Sequence, residues 1–400
     1  MSAYSRDHDV QYRKSGRLGT DLSALGFGCM RLPTLDGVPQ SEAIDEAETI
    51  RMIRHAVDLG VNYIDTAYPY HNGRSEVVTG LALRDGYRAK VLLATKSPVW
   101  QIAKPADFDT YLNEQLARLG TEHIDIYLLH ALGTERWENI VLKHNLIERA
   151  EAAVRDGRIG HIGFSFHDKA DAFRRIVDGY DGWSMCQIQY NYMDIENQAG
   201  TEGMKYAAAK GLAVVVMEPL LGGRLAAPPK AAADVFRASD RDWSCAEWAM
   251  HWVWDQAEVS TALSGMTTMG QVVENLGAAE RSGIGLLGPA DMELFTRARK
   301  ILRDRAPIPC TSCGYCRPCP SGVNIPRNFE LYNDCLIYDD PAIPRAVYNR
   351  FVPEGERAAA CTACRECEAK CPQGIAISEC LPEVHAVLGK GQPPSRTPAA

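Results

Sequence analysis

Eight of the thirteen cysteines crowd into two short runs near the C-terminal end of the 400-residue chain. The first is Cys310, Cys313, Cys316 and Cys319, then Pro320; the second is Cys361, Cys364, Cys367 and Cys371, then Pro372. The spacings read C-x2-C-x2-C-x2-C-P and C-x2-C-x2-C-x3-C-P, and the second is the bacterial ferredoxin pattern. Such close spacing lets one loop wrap three corners of an iron–sulfur cubane, with the intervening amides pointing at the sulfurs to offset the cluster's negative charge. In two-cluster ferredoxins the fourth cysteine of each run serves the other cluster. One 4Fe-4S cluster is therefore expected on Cys310, Cys313, Cys316 and Cys371, and another on Cys361, Cys364, Cys367 and Cys319. The first run is one residue short before its last cysteine. The competing reading is zinc, but zinc ribbons use two separated CxxC pairs, whereas four cysteines crowd each run here. Cys29, Cys186, Cys245, Cys335 and Cys380 lie in apolar settings and read as buried, inert side chains.

A second constellation lies upstream. Asp65, Tyr70, Lys96 and His130 each sit at or just after the end of a short apolar, β-rich run. Together they suit carbonyl reduction. A phenol of ordinary pKa near ~10 is a poor proton donor at neutral pH. A nearby ammonium stabilises the phenolate, so Lys96 is expected to lower the pKa of Tyr70. Asp65 would keep Lys96 charged and oriented, Tyr70 would give its proton to the developing alkoxide, and His130 would hydrogen-bond the carbonyl oxygen. Taken singly, the ion pair could be structural and the histidine a satisfied core residue; the joint placement favours catalysis.

Those four residues need a scaffold that brings strand ends together. Eight candidate strands alternate with helical patterns: Ser23 to Cys29, Asn62 to Ala67, Val91 to Lys96, Ile124 to His130, His161 to Phe166, Cys186 to Tyr190, Ala213 to Glu218 and Ser260 to Met266. Several are nearly continuous apolar runs, as parallel strands buried on both faces require. The series predicts an α/β fold, a (β/α)8 TIM barrel, with its chemistry at the C-terminal ends of the strands. Gln11 to Ser23 reads as a hairpin plugging the bottom of the barrel. Prolines 307 and 309 mark a linker. The expected division is a barrel over 1–300, a helical ferredoxin-like iron–sulfur domain over 301–390, and a disordered tail over 391–400. No internal repeat is apparent. The net charge of −8 and the absence of a Lys/Arg stripe argue against a nucleic-acid surface. No apolar run is long enough for a bilayer span, and residues 1–10 do not resemble a signal peptide. A cytoplasmic location is expected, which favours metal ligation over disulfides.

The strings IDTAYPYHNGRSE, LLATK, IDIYLLH, HIGFSFHD and QIQYNYMD resemble the aldo-keto reductase family, in family order across most of residues 10–290, and the cysteine module resembles that of its iron–sulfur subgroup. The resemblance implies a Tyr/Lys/Asp/His tetrad matching Tyr70, Lys96, Asp65 and His130, and a nicotinamide cofactor bound without a Rossmann domain. By family position, Ser165 and Gln189 would hold the carboxamide. The loop Met217 to Leu221, Leu220 included, would lie near the ring and pyrophosphate, Glu274 and Asn275 would face the adenine, and Gly28 and Met30 would complete the cofactor-binding set. Two positions depart from the pattern. Met217 replaces the usual stacking aromatic, and Phe166 the usual Asn. The Lys and Arg that meet a ribose 2′-phosphate correspond to Gly265 and Gln271, so NAD(H) is expected over NADP(H). The expected partners are a small carbonyl or alcohol substrate and, for the clusters, ferredoxin or another one-electron carrier. The alternative function is a ferredoxin- or flavin-coupled reductase that does not use nicotinamide. Trp137 and Tyr192 are candidates either to line the substrate pocket or to serve as simple packing residues.

Overall fold

The computed structural model describes residues 10–395. A short antiparallel pair, β1 (Tyr12–Arg13) and β2 (Leu22–Ser23), precedes β3 (Leu25–Gly28), β4 (Tyr63–Asp65), β5 (Leu92–Ser97), β6 (Ile124–Leu132), β7 (Ile159–Phe166), β8 (Met185–Gln189), β9 (Ala213–Met217) and β10 (Val259–Ser264). From β3 onward the strands pair in parallel and in chain order, and β10 closes on β3 to complete a (β/α)8 barrel. Every segment expected to be a strand contributes one. The expected hairpin is the β1–β2 pair.

The barrel interior explains the position of the site. Tyr63, Ala94, Ile126, Leu128, Met185, Ala213, Val215 and Leu263 pack inside it. Side chains alternate along a strand, so the residue two positions later points the same way, one layer nearer the C-terminal mouth. Those residues are Asp65 after Tyr63, Lys96 after Ala94, His130 after Leu128, Gln187 and Gln189 after Met185, Met217 after Val215, and Gly265 after Leu263. On β4, β5, β6 and β8 the inner face therefore turns from apolar to polar at one height, with Gln189 one layer further on, while β9 and the residue after β10 present Met217 and Gly265 there. At the opposite end Leu18 and Leu22 join the same interior cluster. Gly16 makes that closure possible: it adopts φ +51°, and a Cβ there would come within 2.3 Å of the Gly211 carbonyl oxygen.

The outer helices follow amphipathic spacing. Glu46–Asp58 starts at Asp45, whose side chain accepts from the Glu48 amide, and it buries Met52, Ile53, Ala56 and Val57 against the barrel. No helix among the described residues is long and apolar enough to cross a membrane.

The chain forms two compact units. Among the described residues, one comprises those up to Gly222 with Ala246–Gly288; the other comprises Gly223–Cys245 and those from Pro289 onward. This division differs from one at residue 300, which falls inside the helix Pro289–Asp304. Phe236, on the helix Lys230–Arg237, stacks 5.3 Å from Phe295, which is why both helices belong to the second unit. The core of that unit is built by Ile325–Ile337, Ala342–Phe351 and Ile377–Leu388, with Phe329, Tyr348, Val384 and Val387 fully buried. Of the tail expected from residue 391, positions 396–400 lie outside the described residues.

Candidate active site and cysteine centres

Lys96 is the hub of the barrel mouth. Its Nζ donates to Asp65 Oδ1 at 2.6 Å and to the Thr66 carbonyl at 2.8 Å, and it lies 3.4 Å from the Tyr70 hydroxyl. Asp65 and Lys96 are 2% and 1% exposed. Burial works against the ammonium, but the Asp65 carboxylate outweighs it, so Lys96 is held above its ordinary pKa and stays protonated. Tyr70 behaves differently from the sequence expectation. Burial pushes its phenol above the ordinary value, and the charge of Lys96 opposes this without overcoming it. The Asp65 carboxylate beside that ammonium also disfavours the phenolate, which adds to the effect of burial. The Tyr70 proton is therefore retained at neutral pH.

His130 stands edge-on to Tyr70, with ring centroids 6.1 Å apart and planes at 84°. A bulge in β6 aims it. Leu129 pairs with Phe164 and Leu132 with Phe166, so β6 carries one extra residue at this point. Ala131 takes up the slack at φ +54°, and its amide donates to Ser165 Oγ at 2.7 Å. Burial, with the charge of Lys96 acting the same way, holds the imidazole well below its ordinary pKa, so His130 is neutral and able to donate.

Residues behind the strands fix this geometry. Gln115 Nε2 donates to Glu76 Oε1 at 2.6 Å and to the Lys96 carbonyl at 3.1 Å, while Tyr127 donates to Gln115 Oε1 at 2.7 Å. Thr95 donates to the same Glu76 oxygen at 2.6 Å. These groups hold the backbone of β5, and nothing in their sequence spacing marks them out.

The residues assigned to a dinucleotide are less uniform. Ser165 and Gln189 are both buried at the inner ends of β7 and β8. Gln189 is engaged at both ends of its amide, donating to Asp194 Oδ2 at 2.9 Å and accepting from Gln198. Gly28 lies against the Ser264 backbone, Met30 is partly exposed, and Met217 and Leu220 are half-buried. Glu274 is exposed, whereas Asn275 is buried and donates to Ser264 Oγ at 3.0 Å. Gln271 accepts from the Thr267 amide at 2.7 Å. Gly265 makes room for another side chain: a Cβ there would meet Cβ, Cγ and Cδ of Arg31 at 3.3–3.4 Å. The sequence did not point to Arg31, because the contact joins loops far apart in the chain.

Aromatic residues at the mouth also differ from expectation. Trp137 packs 6.1 Å from Trp183 and against Gly179, in the outer layer, so it does not line a pocket with His130. Trp100 does: its ring lies 5.1 Å from that of His130. The available signal was its position in the loop after β5. Tyr192 is fully buried.

In the second unit, Cys310, Cys313, Cys316 and Cys371 line one cavity together with Ile325, Phe329, Ile375 and Ile377. Cys367 lies within electrostatic reach of Cys319 and Cys364, and the Ala363 amide donates to Cys361 Sγ at 3.4 Å. The fourth cysteine of each run has thus crossed to the other. Among the described residues no three His, Cys, Asp or Glu side chains converge on a point as a single ion would require. Sulfurs set around an apolar-walled void with amides turned toward them suit a cluster better than zinc. The structure also shows a repeat that residue types alone conceal. Ser312 and Ala363 share φ +55°, Gly314 and Arg365 are left-handed, and so are Gly322 and Gly374, three residues after each fourth cysteine. CTSCGYC and CTACREC are therefore two copies of one loop. All thirteen cysteines are free of disulfides.

Residues 24–282 match the family model described as the aldo/keto reductase family. The chain belongs to that family. Residues 309–377 of this aldo/keto reductase match a second model, the 4Fe-4S dicluster domain. The uncharacterized oxidoreductase C215.11c of Schizosaccharomyces pombe is 26% identical over 266 residues, 64% of this chain and 82% of that protein. The uncharacterized oxidoreductase YqkF of Bacillus subtilis is 31% identical over 166 residues, 39% of this chain and 49% of that protein. The structure of the aldo-keto reductase AKR11C1 of Bacillus halodurans superposes with a TM-score of 0.58 at 24% identity, covering 72% of this reductase and 96% of that chain. The reductase is thus an oxidoreductase-type barrel with a dicluster domain attached.

Proposed function

We propose that this aldo/keto reductase interconverts a carbonyl and an alcohol, with Tyr70 as general acid in reduction and general base in oxidation. The convergence of Lys96 on Asp65 and Tyr70, with His130 facing the same phenol, carries the reading. In reduction, neutral His130 donates to the carbonyl oxygen and orients it, and Tyr70 delivers its proton as the alkoxide forms. Lys96 stabilises the resulting phenolate, and Asp65 keeps Lys96 charged. A nicotinamide, when bound, supplies or accepts the hydride; Ser165 and Gln189 would hold its carboxamide, and Glu274 would meet its adenine. The residue types at Gly265 and Gln271 favour NAD(H), while Arg31, packed beside Gly265, is the cation that would meet a 2′-phosphate if NADP(H) binds. Replacing Tyr70 with Phe and assaying a carbonyl panel tests the reading; unchanged turnover would reject it.

The eight run cysteines would hold two 4Fe-4S clusters in the crossed arrangement, supplying one-electron capacity or added folding energy. A reducing, cytoplasmic compartment would keep these thiolates available for iron. A second reading, a ferredoxin- or flavin-coupled reductase without nicotinamide, is favoured by one observation. Both ends of the Gln189 amide are engaged, and Ser165 Oγ already accepts from Ala131. Titration with NADH and NADPH separates the two, since tight binding of either argues against the second.

A further inference from the structure

Arg136 closes the short helical turn Thr134–Arg136 that follows β6, on the side of the mouth where His130 stands. Its guanidinium carbon sits 5.3 Å over the Trp100 ring, and Trp100 in turn lies 5.1 Å from His130. Arg136, Trp100 and His130 thus form a continuous row along one wall of the mouth. Arg136 Nη1 donates to the Ala131 carbonyl at 2.7 Å, which anchors the group to the bulge that aims His130. Among the described residues Arg136 makes no other hydrogen bond and no ion pair.

A half-buried guanidinium with a single acceptor is poorly compensated. Burial lowers its pKa, and only the neighbouring Glu135 opposes this. Several other partly buried arginines of the barrel unit are better compensated: Arg88 pairs with Asp125, Arg118 with Glu76 and Arg158 with Asp109, and Arg13 spends its donors on the carbonyls of Val259, Trp254 and Gln256. Arg136, beside Trp100 and His130, has no such compensation. Its remaining donors form a planar fork matching a carboxylate, and the Trp100 face limits what fits beside it to something flat.

Resting on the carbonyl chemistry proposed above, we propose that Arg136 anchors a substrate carboxylate. The preferred substrates are then short oxo acids and the matching hydroxy acids, whose carboxylate forks onto Arg136 across Trp100 while the carbonyl meets Tyr70 and His130. Because Trp100 stands between Arg136 and His130, the carboxylate and the carbonyl are held apart by a short carbon chain.

The cluster-loaded full chain is assayed with NADH and with NADPH on short ω-oxo acids and on the uncharged primary amides of the same chain length. A charge-assisted fork predicts that kcat/KM for the acid exceeds that for the amide by about tenfold to a hundredfold. In Arg136→Ala this ratio falls to near unity, chiefly through KM for the acid; in Arg136→Lys it is intermediate. Equal values for acid and amide in the native chain, or a ratio unchanged by Arg136→Ala, overturn the proposal. No turnover on any carbonyl would instead count against the carbonyl chemistry. The anchor is then read by calorimetric titration with a short dicarboxylate: binding lost in Arg136→Ala supports it, and no binding to the native chain overturns it.

Discussion

Lys96 Nζ and Asp65 Oδ1 are held 2.6 Å apart with their side chains 1% and 3% exposed, so neither charge has water to turn to. Such a pair adds little net stability as a unit, but removing one partner leaves a buried, uncompensated charge. Lys96→Met is therefore expected to destabilise the barrel by about 3–5 kcal/mol. The double variant Asp65→Asn/Lys96→Met should regain most of that loss in urea denaturation and still be inactive. If the double variant is no more stable than the single, the charges are not the cause.

Tyr70→Phe removes one oxygen and should leave the fold intact. Loss of a general acid predicts a fall in kcat of about 10²–10⁴-fold, with nicotinamide affinity little changed. Steady-state kinetics with a parallel cofactor titration check both halves.

The raised pKa of Tyr70 fixes the sense of the pH profiles. Reduction needs the protonated phenol and should be flat through neutrality, declining only above the ordinary value of 10.0. Oxidation needs the phenolate and should still be rising at alkaline pH. A reduction limb that fell near neutrality would show that Lys96 dominates burial after all.

His130 adds a stability term of definite sign. Its folded pKa lies well below 6.5, so between those two values the unfolded chain takes up a proton that the native chain refuses. Stability contributed by neutral His130 is present above about pH 6.5 and is lost as pH falls toward the folded pKa. Denaturation of the native chain and of His130→Gln from pH 8 to 5 should show a shallower acid slope in the variant.

The crossed arrangement is tested by iron analysis. Cys371→Ser lies in the second run but should cost the cluster on Cys310, Cys313 and Cys316, and Cys319→Ser the other. Each should lower bound iron by roughly half in anaerobically prepared protein. Spectra that assign each loss to its own run would exclude the crossing.

Much of the barrel and its mouth is legible in the residues alone, because a buried parallel strand needs a run of apolar residues and period-two alternation then fixes what stands above them. Tyr63 then Asp65, Ala94 then Lys96, and Leu128 then His130 are local patterns. The crossing of the cysteines was also legible, since spacing limits which sulfurs one loop can present. The net direction of the Tyr70 pKa was not, because desolvation depends on everything packed around the phenol.

The amino-acid sequence alone determined the barrel, the polar layer at its mouth and the cysteine loops, since each rests on contacts and periodicities within a few residues. Only the tertiary structure decided that Trp100 rather than Trp137 faces His130, that Arg31 fills the space over Gly265, and that Phe236 meets Phe295 across more than fifty residues of chain. Those contacts join loops and helices distant in sequence, and no local pattern encodes which of several similar side chains meets a partner that the fold alone brings near.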